Sequence, residues 1–335
     1  MRAWWTLVVL TTVGLAVLTA TRFVPGRNAA VAAVASFSSY AVVGYAVLLL
    51  TLAVGWAWGR SRRSAGERPD VRALRGAVAG VAVAGLVVHA VALAPLFTAS
   101  TGSGDAHGSP TSGLTVMTAN LEVGQGDPAA VVRAVRRLGV DVAVLEEVTP
   151  FSLERLQADG LQQLLPHQTG HAAPGGDGTV VLSRWRVRTV RSLDLGHGGY
   201  EVHVAAPRAF TLLAAHTMAP VASAARWGAD LDRLRAAATE ATGPVVLAGD
   251  LNATRDHQPF RCILDTGLRD AGEEAASGWQ PTWPSRWRRP WLRPLLALDH
   301  VMVSSALRGV RTRTVEVPHS DHVGLVADLA WADGG

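Results

Sequence analysis

The chain has 335 residues, with 31 basic against 27 acidic side chains, one cysteine and a pI near 10.1. Hydrophobic residues make up 49% and charged residues only 17%, below the roughly 25% of a soluble domain, which excludes disorder over most of the length and leaves a very apolar core or membrane spans. The lone Cys262 excludes an internal disulfide framework and a cysteine-based zinc site.

From the N-terminus, residues 6–20 are nearly free of polar groups, and residues 29–58 and 76–100 carry no charge. About 20 apolar residues cross a bilayer core. The second and third runs are long enough, and the first is when taken from Ala3 to Thr21, so three spans are expected rather than a buried helical hairpin. The first run reads as an uncleaved helix. A signal peptide would want more than Arg2 in its basic region and a smaller residue than Leu18 before a cleavage after Ala20. Trp4, Trp5, Trp56 and Trp58 lie near the expected ends, where amphipathic rings sit among headgroups.

Arginine placement gives an orientation. The loop after the second run holds Arg60, Arg62, Arg63, Arg68, Arg72 and Arg75, and the loop after the first holds only Arg22 and Arg27. The six-arginine loop is expected in the cytoplasm. That puts the N-terminus inside and everything after the third span outside. Residues 98–112, rich in Gly, Ser and Thr, read as a flexible tether. The expected organisation is an anchor (1–97), a linker (98–112) and a catalytic domain (113–335). Residues 1–112 hold 9 Arg and 3 acids, net +6, and residues 113–335 hold 22 Arg and 24 acids, net −2. The basic pI belongs to the anchor.

The domain repeats one pattern, a short β-branched run ending in a polar residue. Such runs end at Asn120, at Glu146 and Glu147, at His216, at Asp250 and Asn252, and at Asp299 and His300, while Ser320, Asp321 and His322 precede another. Apolar runs of 4–8 residues bounded by turn residues read as buried strands. Helical patterns cover 128–138, with Pro128 suited to a first turn after Asp127, and 222–238. Taken singly, a carboxylate after a strand is a turn or cap and a histidine is structural. Six such tips in one domain point instead to a shared rim. A Ser-His-Asp hydrolase is excluded because Ser320, Asp321 and His322 are adjacent and no G-x-S-x-G occurs, and no H-E-x-x-H marks a zinc protease. A non-enzymatic binding module is disfavoured, because residues suited to a metal ligand, a base, its partner and a water-positioning carboxylate are all present.

In order, Thr118-Ala-Asn120-Leu, Val144-Leu-Glu-Glu147-Val, Leu182-Ser-Arg184, His216, Gly249-Asp250-Leu-Asn252, Leu298-Asp299-His300 and Ser320-Asp321-His322 resemble the motifs of the endonuclease/exonuclease/phosphatase superfamily. That group includes deoxyribonuclease I-like nucleases, neutral sphingomyelinases and inositol polyphosphate 5-phosphatases. The resemblance runs from Leu114 to Leu329. It implies a deoxyribonuclease I-like four-layer α/β sandwich, here preceded by three transmembrane helices, and hydrolysis of a phosphate ester or anhydride with Mg²⁺ or Mn²⁺. It implies Glu147 as metal ligand, with Asn120 beside it and Asp321 as a further ligand. Glu146 stands where the family commonly has Gln and is the second choice. It also implies His322 as general base oriented by Asp299, Asp250 positioning the water, Asn252 donating to the phosphate, and His216 contacting phosphate or protonating the leaving group. Arg184 is expected to support the site indirectly. His300, adjacent to Asp299 on a strand, points to the opposite face and reads as structural.

Residues 279–296 hold Trp279, Trp283, Trp287 and Trp291 with Arg286, Arg288, Arg289 and Arg293. Four prolines argue for a loop rather than a helix. It reads as rings packed on the domain, as a segment at a lipid surface, or as a base-stacking surface. Without those four arginines the domain would stand at −6, a poor footprint for nucleic acid. Three spans before such a domain resemble the actinobacterial VanJ-type teicoplanin-resistance proteins. That resemblance implies a cell-envelope role in antibiotic resistance, with undecaprenyl pyrophosphate, a membrane lipid, as substrate. The alternatives are a membrane-tethered nuclease and a phospholipase C or sphingomyelinase-type diesterase.

Overall fold

The computed structural model describes residues 2–61, 69–98 and 113–332. Residues 62–68 of the arginine-rich loop and 99–112 of the expected linker lie outside that set. The N-terminal part forms α1 (Arg2–Thr21), α2 (Ala29–Ala35), α3 (Ala41–Ser61) and α4 (Pro69–Leu93). Among the described residues, three stretches are long and apolar enough to cross a membrane: Ala3–Thr21, Ser38–Trp58 and Pro69–Leu96. A seam of Val8, Tyr45, Leu48, Val78 and Ala82 holds them together. Leu7, Leu10, Val47, Leu50, Val87 and Val91 face outward, which suits lipid rather than water. A Cβ at Gly85 would run into the Tyr45 ring, so α4 approaches α3 closely, as small residues allow.

The uncharged run 29–58 is not one helix. Asn28 caps α2 by accepting from the amides of Ala30 and Val31, and the helix stops at Ser36. Ser36, Ser38 and Ser39 then form a polar corner before α3.

The remaining elements are β1 (Gly113–Asn120), α5 (Pro128–Leu138), β2 (Val142–Glu146), α6 (Pro150–Ala158), α7 (Leu161–Leu164), β3 (His167–His171), β4 (Thr179–Ser183), β5 (Val187–Ser192), β6 (Gly199–Val204), β7 (Phe210–His216), α8 (Pro220–Glu240), β8 (Val245–Asp250), α9 (Gln258–Leu264), β9 (Arg269–Asp270), α10 (Ala271–Glu274), β10 (Asp299–Val303), β11 (Leu307–Val315) and β12 (Gly324–Trp331). One sheet runs β11-β12-β1-β2-β4-β3 and the other β5-β6-β7-β8-β10-β9. Each has a single parallel pair at its centre, β1 with β2 and β7 with β8. Val116, Val144, Leu212, Ala248 and Val301 fill the space between the sheets. Helices α5, α6 and α7 cover the first sheet through Val131, Leu156 and Leu161. Helices α8 and α9 cover the second through Trp227, Leu231 and Phe260. The result is the expected four-layer α/β sandwich.

The N-terminal helices do not merely hang beside this domain. Ala32 of α2 joins the core that contains Trp227. The buried Arg22 guanidinium pairs with the buried Asp256 carboxylate. Asp256 also accepts from the Ser39 amide at 2.8 Å and hydroxyl at 2.9 Å. Tyr40 donates to the Leu295 carbonyl at 2.8 Å, and the Gly278 amide to the Leu96 carbonyl at 2.8 Å. His257 accepts at Nδ1 from the Thr254 amide and so donates from Nε2 to the Ala32 carbonyl, 2.9 Å away.

Burial depresses His257 from 6.5 to about 4, so it is neutral at pH 7. The unfolded chain binds this proton more readily than the folded one. Its contribution is therefore complete above pH 6.5 and is lost as pH falls towards 4, by about 3 kcal/mol. Hydrogen exchange at residues 29–40 is expected to accelerate over that window, and the acceleration is expected to vanish in His257→Gln.

Candidate active site

Side chains alternate across a strand, and the inward positions of the sandwich are even in β1, β2, β7 and β8 and odd in β10. Continuing that parity to the strand tips brings Asn120, Glu146, His216, Asp250 and Asp299 to one rim between the sheets. Register seats them in pairs: Asn120 opposite Glu146, His216 opposite Asp250, and Asp250 opposite Asp299. Glycine makes this possible at one point. Gly249 has φ +152°, and a Cβ there would run into the Ala215 carbonyl oxygen. Gly249→Ala is expected to cost about 3 kcal/mol or more and to lower Tm, an outcome that thermal unfolding checks.

Glu147 leaves the strand with φ +55°, and this left-handed turn swings its carboxylate back to the rim. It accepts from Asn120 Nδ2 at 3.0 Å and from the Val123 amide at 2.7 Å. The same Asn120 nitrogen donates to Asp250 at 3.1 Å, so one amide links both carboxylates. Glu146 instead is fully buried and accepts from the Thr118 hydroxyl at 2.7 Å. Burial, with Asp299 nearby, pushes it well above the carboxylate range. Of the two, Glu147 is the one whose carboxylate reaches Asn120 at the rim, while Glu146 turns to Thr118.

His322 is also buried. Its Nδ1 lies 2.8 Å from Asp299 Oδ2 and its Nε2 lies 3.6 Å from Asp250 Oδ2. Burial opposes its charge, but Asp299 and Asp250 together hold it well above the usual histidine value. Burial likewise pushes Asp250 up to about 7, against the pull of His322. The two therefore share protons as a pair. His216 sits 3.8 Å from Asp250, and burial, then His197 and His322, keep it well below its usual value and so neutral. Asn252, with φ +45°, donates its side-chain amide to the Thr217 carbonyl, and its backbone amide goes to Asp250 at 2.8 Å.

Asp250, Asp299 and His322 bring ligand atoms within 4.8 Å of one another and could hold a metal ion. The donor set suits a hard divalent cation. Among the described residues no arginine pairs with Glu147, Asp250 or Asp299, and the buried Asp299 Oδ1 has no hydrogen-bond partner. Asp321 Oδ2 accepts from the Trp283 indole at 3.0 Å, and its charge adds to those that raise His322.

Two other expectations meet the structure differently. His300 faces away, between Asp270 at 3.0 Å and the Ala253 carbonyl at 2.9 Å, and is structural as expected. Arg184 does not support the site. Because β4 runs antiparallel to β2, it lies at the opposite end of the sheet, paired with Asp141 at 3.0 Å. A further pair goes unnoticed in the sequence. His197 stacks 4.7 Å from His216 and binds Asp177 at 2.9 Å. A Cβ at Gly176 would touch both the His197 ring and the Glu147 carboxyl. The flanking glycines of Gly176-Asp177-Gly178 and Gly196-His197-Gly198 are the only local signal for it.

The 279–296 segment is a loop, as expected. Trp283 and Leu296 bridge its base. Arg288 reaches across the mouth to Glu122, with Nε 2.9 Å from Oε2, and to Gln125 at 3.0 Å.

The model of the endonuclease/exonuclease/phosphatase family matches residues 117–322. No curated protein matches the chain. Among solved structures, humanized D. rerio TDP2 carrying 14 mutations is 16% identical, over 65% of this chain and 99% of that one, at TM-score 0.53. D. rerio TDP2 complexed with a single-strand DNA product is 14% identical over 65% and 99%, at 0.50. A functionally unknown conserved protein from Enterococcus faecalis V583 is 16% identical over 65% and 100%, at 0.50. Likeness at these identities concerns the fold.

Proposed function

We propose that this chain, which belongs to the endonuclease/exonuclease/phosphatase family and is a hydrolase of phosphoester bonds, is a membrane-anchored, extracytoplasmic enzyme acting on a lipid phosphate or pyrophosphate. The observation that carries this reading is the seating of a phosphate-directed rim on three helices apolar enough to cross a membrane. Tyr40 before α3 and Leu96 after α4 meet the domain, so the end of α3 and the start of α4, with Arg72 and Arg75, lie away from it, in keeping with a cytoplasmic loop and an outer catalytic domain. Undecaprenyl pyrophosphate is the preferred substrate, on the resemblance to VanJ-type proteins.

Glu147, with Asn120 beside it and Asp321 as a further ligand, would hold Mg²⁺ or Mn²⁺, which leaves the Asp250, Asp299 and His322 group, although it too could hold a cation, to the attacking water and its proton. Such an ion would supply polarisation of a phosphoryl oxygen and stabilisation of the leaving oxygen. The 3.6 Å between His322 Nε2 and Asp250 Oδ2 suits a water held by both. Its oxygen attacks phosphorus, its proton passes to the Asp250–His322 pair, and the bond to the leaving oxygen breaks with the electrons going to that oxygen. Asp299 fixes the His322 ring. Asn252 and neutral His216 donate hydrogen bonds to the phosphate. His197, held by Asp177, extends the donors on the His216 side.

The test is to incubate the full chain and Mg²⁺ with undecaprenyl pyrophosphate, sphingomyelin, phosphatidylinositol phosphates and plasmid DNA. Phosphate released from the first and abolished by EDTA is the expected result. Nicked DNA with every lipid intact would overturn the reading in favour of a tethered nuclease, and choline phosphate from sphingomyelin would favour a diesterase.

A further inference from the structure

Among the described residues of the catalytic domain, six large apolar side chains are exposed: Val123, Phe151, Val190, Val221, Trp287 and Trp291. Their positions are not scattered. Val123 lies three residues beyond Asn120, Phe151 four beyond Glu147 and Val221 five beyond His216, so each stands on a loop or helix start leaving the tip of a site strand. Trp287 and Trp291 occupy the loop that runs into β10 and Asp299. Only Val190, on β5, belongs elsewhere. Scattered exposed apolar residues need no explanation, but a ring of them around one rim does. Their exposure is high: 67% for Phe151, 73% for Val221 and 81% for Trp291.

The second observation concerns the anchor. Its contacts land on segments that leave the same rim. Asp256 and His257 follow Asn252, while Gly278, Trp279 and Leu295 precede Asp299. The Trp–Arg loop is held at both ends by the outer ends of the helices. Tyr40, just before α3, packs edge-on against Trp279 at 5.8 Å and bonds Leu295, and Leu96, just after α4, accepts from Gly278. Phe23, Phe37 and Phe97 are exposed at those outer ends, so apolar surface continues from the helices to the loop. The loop tip also carries exposed Arg286, Arg289 and Arg293, suited to lipid phosphates.

We infer that the mouth of the active site faces the bilayer that holds α1, α3 and α4, and that Val123, Phe151, Val221, Trp287 and Trp291 form a collar inserted at headgroup level. The substrate then reaches the rim from the membrane plane, its phosphate entering ahead of a tail that stays in lipid. This rests on the membrane topology proposed above but not on the identity of the substrate.

The test uses the full chain with Cys262→Ser, carrying a single cysteine at 151, 221, 291 or 190, spin-labelled and reconstituted in vesicles of phosphatidylethanolamine and phosphatidylglycerol. Labels at 151, 221 and 291 are expected to collide more with oxygen than with a water-soluble nickel chelate, and the label at 190 the reverse. Water-like behaviour at all four, or lipid contact at 291 alone, would overturn the collar, as would dipolar broadening between labels that demands a second copy over the mouth. Lipid contact at the three rim sites in a protein that hydrolyses no lipid phosphate would leave the collar standing and sink the proposed substrate class.

Discussion

His322→Ala is expected to lower kcat by about 10³–10⁴, or about 4–5.5 kcal/mol of transition-state stabilisation, with little change in KM. The ring is held on one side by Asp299 at 2.8 Å and stands 3.6 Å from Asp250 on the other. Its loss removes the group that shares the water's proton. It also leaves two buried carboxylates facing each other without their imidazole. Asp299→Asn should fall in the same direction by about 10², because the amide holds the ring without stabilising its charge. Glu146→Gln is the informative contrast. Burial holds the Glu146 carboxyl well above its usual range, and it accepts from the Thr118 hydroxyl; an amide keeps that acceptor, so activity should stay within a few-fold of the parent. If Glu146→Gln abolished turnover while Glu147→Gln did not, the assignment of the metal ligand would be reversed. Activity on a bilayer substrate over a range of Mg²⁺ concentrations separates these cases.

The second large effect is expected at the joint between anchor and domain. Asp256→Ala should cost about 3–5 kcal/mol at that joint, since it strands the buried Arg22 charge. Arg22 already lies in an unfavourable setting. Burial first, then Arg261 and Arg255, lower it to about 10, still charged at neutral pH. Asp256→Ala also removes the acceptor of both Ser39 bonds. Faster proteolysis within residues 23–40 is the expected readout, with the helices and the sandwich each intact. Adding Arg22→Met should recover much of the loss, because the uncompensated charge is then gone. Additive losses in the double variant would mean that the pair is not coupled.

The strands that end on catalytic side chains were legible because they are short, apolar and stopped by polar residues. Helix α5 is legible to the residue, from Asp127 and Pro128 at its start. The missed strands lack that contrast. His167–His171 is polar throughout and lies at a sheet edge, and β5 is half exposed. Strand β11 alternates, but arginines fill its outer face and a bulge between Gly309 and Arg311 breaks its period. Composition joined α2 to α3 because no charge separates them; the serines at 36, 38 and 39 and the Asn28 cap were the available signals. The position of Arg184 is not legible, because a motif gives order along the chain and not the direction of its strand. The motif alone favours Glu147 over Glu146, but the left-handed turn at φ +55° that carries its carboxylate to the rim is visible only in the structure.

The seating of the domain on Asp256, Tyr40 and Leu96 has a consequence for selectivity. A domain strung on a tether samples many heights above a surface and reaches any exposed phosphate. A domain bolted to the ends of its own helices is a ruler. On the topology proposed above, the rim stands at one depth, and a phosphorus atom is hydrolysed only if its carrier presents it there. Lipids sharing one headgroup chemistry would then be sorted by how far that headgroup stands from the hydrocarbon.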